Sequence, residues 1–364
     1  MKIITIDFET YFDDDYSLKK LTIEEYIRDP RFEAHGAAIY NGKNAIWMSP
    51  KQLKEQCEAW ELERRLSGDK IAFLAHHAHF DGLILSHHFD FCPDIWLDTL
   101  SMARVCFDSG VKNGLDDLAT RLGLAPKMVP YDAMKSEHWN SMLPVLQNLI
   151  ADGCIHDCKL TWDAFHAMLA GGTAAVPYAF PPSELPVVSA TVKMFAEPVL
   201  VGDIDLLGEA WYAELDARNK LFKRLDSRHD DPATMAQLLR KDETFADMLR
   251  FLGVEPAQKT TAKGNDKYAF AKTDLFMQDL LYGDNEDVAL LVEARLKAHS
   301  SIYMTRVERF GNIATRGPIP IYLAYAAAHT RRWGGGDKQN AQNLPRPDPY
   351  KPQKGALRRA IKAP

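Results

Sequence analysis

No apolar run in this chain reaches the length of roughly 20 residues that a membrane-spanning helix needs. The first residues carry no basic flank ahead of an apolar stretch. A soluble, unsecreted protein of the cytoplasm is therefore expected. Cysteine is scarce: Cys57, Cys92, Cys106, Cys154 and Cys158 are odd in number and lack CxxC spacing. That pattern argues against a disulfide framework and a thiolate zinc site. Positive charge is also short, since 44 Lys and Arg against 50 Asp and Glu leave a net charge of −6. Such a chain does not coat nucleic acid over its whole surface. Basic residues gather instead between positions 329 and 364, where nine Lys and Arg face only Asp337 and Asp348. Mixed with Gly334, Gly335, Gly336 and several amides, this stretch reads as a phosphate-contacting surface.

At 364 residues, 46% of them hydrophobic, the chain has enough material for two domains. The run at 3–6 ahead of Asp7 is apolar and β-branched and reads as a buried strand, and period-2 geometry sends Asp7 and Glu9 to one face. Two buried acids side by side are costly unless a cation sits between them. Hard oxygen ligands at that spacing suit Mg²⁺ or Mn²⁺. An exposed edge strand with solvated acids is the plainer reading.

Strands at 37–40, 45–48, 71–75 and 95–97 alternate with helices at 51–66, 80–87, 115–122 and 144–169. This alternation predicts an α/β layer fold. Gly171, Gly172 and the prolines at 177, 181, 182 and 186 break the pattern. Helices follow at 205–225, 235–252 (after an Asp231-Pro232 start), 274–281 and 286–310, and strand character returns at 318–323. Two further acids stand out. Asp81 follows a buried strand and opens a helix, where the helix dipole alone also explains an acid. Asp157 lies in a helix whose core side is marked imperfectly by Ile155, Leu160 and Ala164, leaving it either inward or outward.

Together, Asp7-Phe8-Glu9-Thr10, His76-His77-Ala78-His79-Phe80-Asp81, Asp98-Thr99-Leu100 and Cys154-Ile155-His156-Asp157 resemble the exonuclease motifs of the DEDD, RNase H-like superfamily. The segment Ala328-His329-Thr330-Arg331-Arg332-Trp333, followed by Asn340-Ala341-Gln342-Asn343-Leu344-Pro345, resembles the first palm motif of family A DNA polymerases. The order is similar to that of bacteriophage members with a proofreading exonuclease ahead of the polymerase.

The resemblance implies three regions: an RNase H-like, mixed-sheet 3′→5′ exonuclease domain at 1–175, a helical thumb-like region at 187–317, and the start of a palm at 318–364. It implies that Asp7, Glu9, Asp81 and Asp157 hold two divalent cations, Mg²⁺ or Mn²⁺, and release deoxynucleoside monophosphates from single-stranded 3′ ends. DNA contacts are implied for Lys259, Lys263 and Lys267 in the thumb-like loop, and for Thr330, Arg332, Asn340, Gln342, Asn343, Arg358 and Arg359. The segment resembling the last piece before the first polymerase aspartate ends the chain, so no primer extension is expected of it. The remaining polymerase segment is a candidate partner.

Two positions depart from the pattern. Gly153 and Asp152 stand where a water-orienting tyrosine or histidine is found, and His77 replaces a frequent asparagine. His156 and His77 are the substitutes at hand. The rivals are a non-catalytic module binding primer-template or a polymerase subunit, and a free-standing exonuclease on short RNA.

Overall fold

The computed structural model describes residues 1–107, 110–225, 232–262, 264–346 and 355–363. Its centre is a five-stranded mixed sheet in the order β3-β2-β1-β4-β5. The strands are β1 (Lys2–Thr10), β2 (Ala34–Tyr40), β3 (Ala45–Met48), β4 (Ile71–Ala75) and β5 (Ile95–Asp98). β1 pairs antiparallel with β2 and parallel with β4, and β4 pairs parallel with β5. Parallel neighbours need crossovers, which the Pro50–Ser67 and His79–Phe89 helices supply. The first starts at Ser49, which forms a capping box with Gln52 ahead of Pro50, and stops at Gly68 in the left-handed region.

Alternation along β1 decides the two layers. Ile4, Ile6 and Phe8 join Phe73, Leu53 and Trp60 in one core, while Ile3 packs with Ala72, Leu74, Ala164 and Phe165 in the other. Asp7 and Glu9 share the parity of Ile3. Their side therefore faces the Pro144–Ala170 helix, whose inner stripe runs through Gly153, Cys154, Asp157, Cys158, Thr161 and Ala164. Ile155, read from sequence as a marker of the core side, is only half-buried, and the true stripe is made of glycine, cysteine and aspartate.

The chain divides into two compact units. The first comprises residues 1–202, 313–344 and 361–364, and the second 203–312 and 345–360. These limits differ from the three sequence regions. The Leu185–Ala196 helix buries Val192, Phe195 and Ala196 in the core of the first unit, beside Tyr322 and Ala324. The segment 318–323, expected as a strand, is extended but contributes only Leu323 to a two-residue strand, Leu323–Ala324, paired with Gly334–Gly335. Pro318 and Pro320 lack the N–H groups a ladder requires. The N–H groups that follow each proline are still used: Ile319 donates to the Leu200 carbonyl (2.6 Å) and Ile321 to that of Met194 (2.9 Å).

The second unit is built on Leu221, Phe222, Leu239, Phe245, Leu249, Met277 and Val292. Two helices expected to be continuous are broken. Residues 235–252 divide at Lys241 into Pro232–Arg240 and Asp242–Phe251. Residues 286–310 divide after His299, where Ser300 turns extended. The Ala298 carbonyl freed at that break accepts from Arg218 (3.2 Å) and Arg240 (2.9 Å), which offsets the lost helical bond. Asp231 lies outside the described residues.

Candidate metal centre

The β1 face places the carboxylate oxygens of Asp7 and Glu9 and the Cys154 sulfur all within 4.8 Å of one another. Cys154 donates from Sγ to the Asp7 carbonyl (3.3 Å) and to Asp7 Oδ2 (3.4 Å). Asp81 enters from the first turn of the His79–Phe89 helix, and its Oδ1 accepts the Phe8 N–H at 3.2 Å. That turn is shaped by Asp98, whose Oδ1 accepts the N–H groups of His77 (2.8 Å) and Ala78 (3.2 Å). His77 is held there at φ +71°, a conformation that costs a non-glycine residue energy.

Asp157 is fully buried, and neither of its oxygens accepts an aligned hydrogen bond. Its counter-charge comes from Lys127, whose Nζ stands 2.7 Å from Oδ2. Lys127 also donates to the Tyr131 hydroxyl at 3.0 Å. Its segment lies against the Pro144–Ala170 helix at Gly153, where a Cβ would come within 3.0 Å of the Val129 backbone.

Burial sets the electrostatics. It raises the pKa of Asp7 to about 7, with Asp157 adding to the rise and Lys127 and the Cys154 hydrogen bond opposing it. Glu9 is pushed well above the carboxylate range by burial and then by Asp7. Asp81 is raised in the same way, against the pull of the Phe8 N–H. Asp157 is raised by burial, with Lys127 opposing. Lys127 itself is desolvated, which lowers its pKa, yet Tyr131, Asp157 and Asp7 raise it on balance. Buried carboxyls that resist ionising together form an oxygen donor set that fits a hard divalent cation. The Cys154 thiol is held protonated by burial and then by Asp7, so it acts as a donor and not a soft ligand.

No family model and no curated protein matches the chain. Among solved structures it is similar to the POL domain of Pol1 from M. smegmatis, determined in complex with DNA primer-template and dNTP. The TM-score is 0.61 over 98% of this chain, at 16% sequence identity. The likeness is one of fold. This chain spans about half, 54%, of the length of that one.

The two histidines considered as water-orienting groups are engaged elsewhere. His156 Nε2 lies 3.0 Å from the Pro126 carbonyl, and His77 Nε2 lies 2.8 Å from the Tyr322 hydroxyl. Of the residues expected to meet DNA, Thr330, Arg332, Asn340, Gln342 and Asn343 are exposed on the first unit. Lys267, Arg358 and Arg359 are exposed on the second. Lys259 and Lys267 face one another across the hairpin Gln258–Thr260/Asp266–Tyr268, and Lys259 is held by Asp274, 2.6 Å from Oδ2. Lys263 lies outside the described residues. Sequence reasoning missed Lys127, Tyr131 and Cys154. Cys154 stands one turn ahead of Asp157 and was readable from that spacing, whereas Lys127 sits between Pro126 and Pro130 in a stretch without periodicity.

Proposed function

We propose that the first unit is a divalent-cation-dependent 3′→5′ exonuclease acting on DNA ends, carried in a protein related to DNA polymerases of family A. The observation that supports this reading most directly is the pairing of Asp7 and Glu9 on one buried strand face, their carboxylate oxygens within 4.8 Å of each other, where the charge of Asp157 raises Asp7 and that of Asp7 raises Glu9 and Asp81. Asp7 and Glu9 would hold the cation, with Asp81 and Asp157 flanking it. When bound there, it supplies activation of water and neutralisation of phosphate charge.

The chain's own groups do the rest. Lys127, 27% exposed at its side chain, offers an ammonium to negative charge gathering on the scissile phosphate. Met128 and Tyr131, exposed beside it, give an unpaired terminal base apolar surface on which to stack. Asp98 fixes the turn that aims Asp81. A palm-like segment with exposed Thr330, Arg332, Gln342 and Asn343 fits contact with primer-template, so that trimming serves proofreading.

A second reading, a DNA-binding module without hydrolysis, is favoured by the Lys127–Asp157 pair, which already satisfies part of the site. One experiment decides between them. A 5′-labelled mismatched primer-template is incubated with the chain and Mg²⁺ or Mn²⁺, beside an Asp7→Ala variant. Stepwise 3′ trimming lost in the variant is the expected result. Binding without trimming supports the module, equal trimming by both proteins overturns the site, and preference for short RNA redirects the substrate.

A further inference from the structure

The His79–Phe89 helix carries Asp81 in its first turn, and it begins at Ala78 with no side chain capping it. Its entry is fixed by contacts from elsewhere in the first unit. β1 pairs with β4 only as far as Thr5, opposite Leu74, and beyond that ladder the Phe8 N–H donates to Asp81 Oδ1 at 3.2 Å. Where the helix starts therefore decides whether Asp81 stands beside β1. We propose, on the reading of Asp81 as part of the nuclease site, that Tyr322 is a positioning residue for that aspartate: through His77 it holds the turn from which the helix starts.

Three observations support it. The first is the strain of the turn. His77 sits at φ +71°, and a non-glycine residue keeps such a backbone only where its surroundings impose it. Asp98 Oδ1 accepts the His77 N–H at 2.8 Å and the Ala78 N–H at 3.2 Å. The far end of the His77 side chain, Nε2, lies 2.8 Å from the Tyr322 hydroxyl. The second is that the grip is double. His79 Nε2 lies 3.0 Å from the Leu323 carbonyl, and its buried ring stacks on that of Tyr322 with centroids 4.5 Å apart. Side chains on both sides of Ala78 thus hold two consecutive residues of one segment.

The third is that Tyr322 is itself anchored. Its ring meets Phe195 edge-on at 5.3 Å and lies against Gly336, where any side chain would collide with Tyr322 Cε1. Ile321 before it donates to the Met194 carbonyl at 2.9 Å, and Leu323–Ala324 after it pairs with Gly334–Gly335. The turn and the acid are joined by backbone: the Phe80 N–H donates to the His77 carbonyl at 3.0 Å and the Gly82 N–H to that of Ala78 at 2.9 Å. A shift at His77 is passed to Asp81 along that single turn. Arg104 also hydrogen-bonds the Tyr322 hydroxyl, and a double-variant comparison separates that route from the one through His77.

The full chain is compared with Tyr322→Phe, which keeps the ring, with His77→Asn, which tolerates positive φ, and with the two combined. Amide exchange at Phe8, followed by NMR, reports whether Asp81 still accepts its N–H. Trimming of a 5′-labelled mismatched primer-template with Mg²⁺ gives kcat and KM. Tyr322→Phe is expected to speed Phe8 exchange and to lower kcat by about two- to tenfold each, the range that one hydrogen bond allows, with KM unchanged. The combined variant should match His77→Asn alone. Thermal melts establish that each variant is folded, and should Tyr322→Phe fail to fold, His77→Asn gives the same Phe8 reading with Tyr322 in place. Phe8 exchange at the wild-type rate, an equal rise across the amides of β4, an unchanged kcat, or effects of the two substitutions that multiply overturns the inference while leaving the nuclease reading standing. No trimming by the wild type overturns that reading, and Phe8 exchange then decides by itself whether Tyr322 places Asp81.

Discussion

Val129 lies across Gly153 so closely that a methyl group there would stand 2.9 Å from Val129 Cγ2 and 3.0 Å from the Val129 Cα and N atoms. Glycine inside a helix is unfavourable by roughly 0.5–1 kcal/mol relative to alanine. The neighbour is backbone, which yields little. Gly153→Ala should therefore lose stability on balance, by about 1–2 kcal/mol, because overpacking of about 1–3 kcal/mol outweighs the gain in helix propensity. Urea denaturation measures it, and a more stable variant would contradict the close packing.

A second expectation concerns pH and metal together. Burial, then Asp157, raises the pKa of Asp7 to about 7, and Glu9 and Asp81 are raised too. In the metal-free protein the folded carboxyls hold their protons more tightly than the unfolded ones. Their contribution to stability is thus fully present below about pH 4, the unfolded carboxyl range, and is lost as the pH rises through about 7. A divalent ion requires these groups ionised. Mn²⁺ at about 100 times its dissociation constant should add about 2.7 kcal/mol near pH 8 and far less near pH 5. Melting curves with and without Mn²⁺ at the two pH values test this, and equal shifts would count against binding at these carboxyls.

Glu24 offers a contrast between buried and exposed ion pairs. Its side chain is wholly buried, with Arg28 Nη1 at 3.3 Å and Arg316 Nε at 2.9 Å from Oε1. Arg28 is itself only 3% exposed. Glu24→Ala strands that guanidinium and should cost about 3–5 kcal/mol. Glu63, paired with Lys2 at 3.1 Å in solvent, should change stability by no more than about 0.5–1 kcal/mol when replaced by alanine. Chemical denaturation of the two variants, run in parallel, gives the comparison.

The sequence was most readable where one period governs the side chains. Asp7 and Glu9 fall on one face of β1 because a strand allows nothing else, and residues 115–122 form the helix expected there, Leu115–Leu122. Reading failed where tertiary contacts replace a local signal. Ser300 interrupts a run that is helical by composition, because Arg218 and Arg240 satisfy the Ala298 carbonyl from elsewhere in the unit. Lys127 was invisible for the same reason: nothing in its neighbours says that its ammonium reaches Asp157, thirty residues along the chain. The glycine at 153 looked like a missing functional group when its motif was read alone, and its packing partner gives it a structural cause.

The first unit is assembled from pieces far apart in the chain. Asp337 accepts the Ile23 N–H at 2.6 Å, Arg316 reaches Glu24, and Ile361 pairs with Gly202. During synthesis, which proceeds from the N-terminus, Glu24 is made long before Arg316 leaves the ribosome, and the sheet that carries Asp7 must wait for its closing contacts. The first unit therefore brackets most of the second in sequence: residues 203–312 are made before 313–344, the stretch that the first unit needs in order to close.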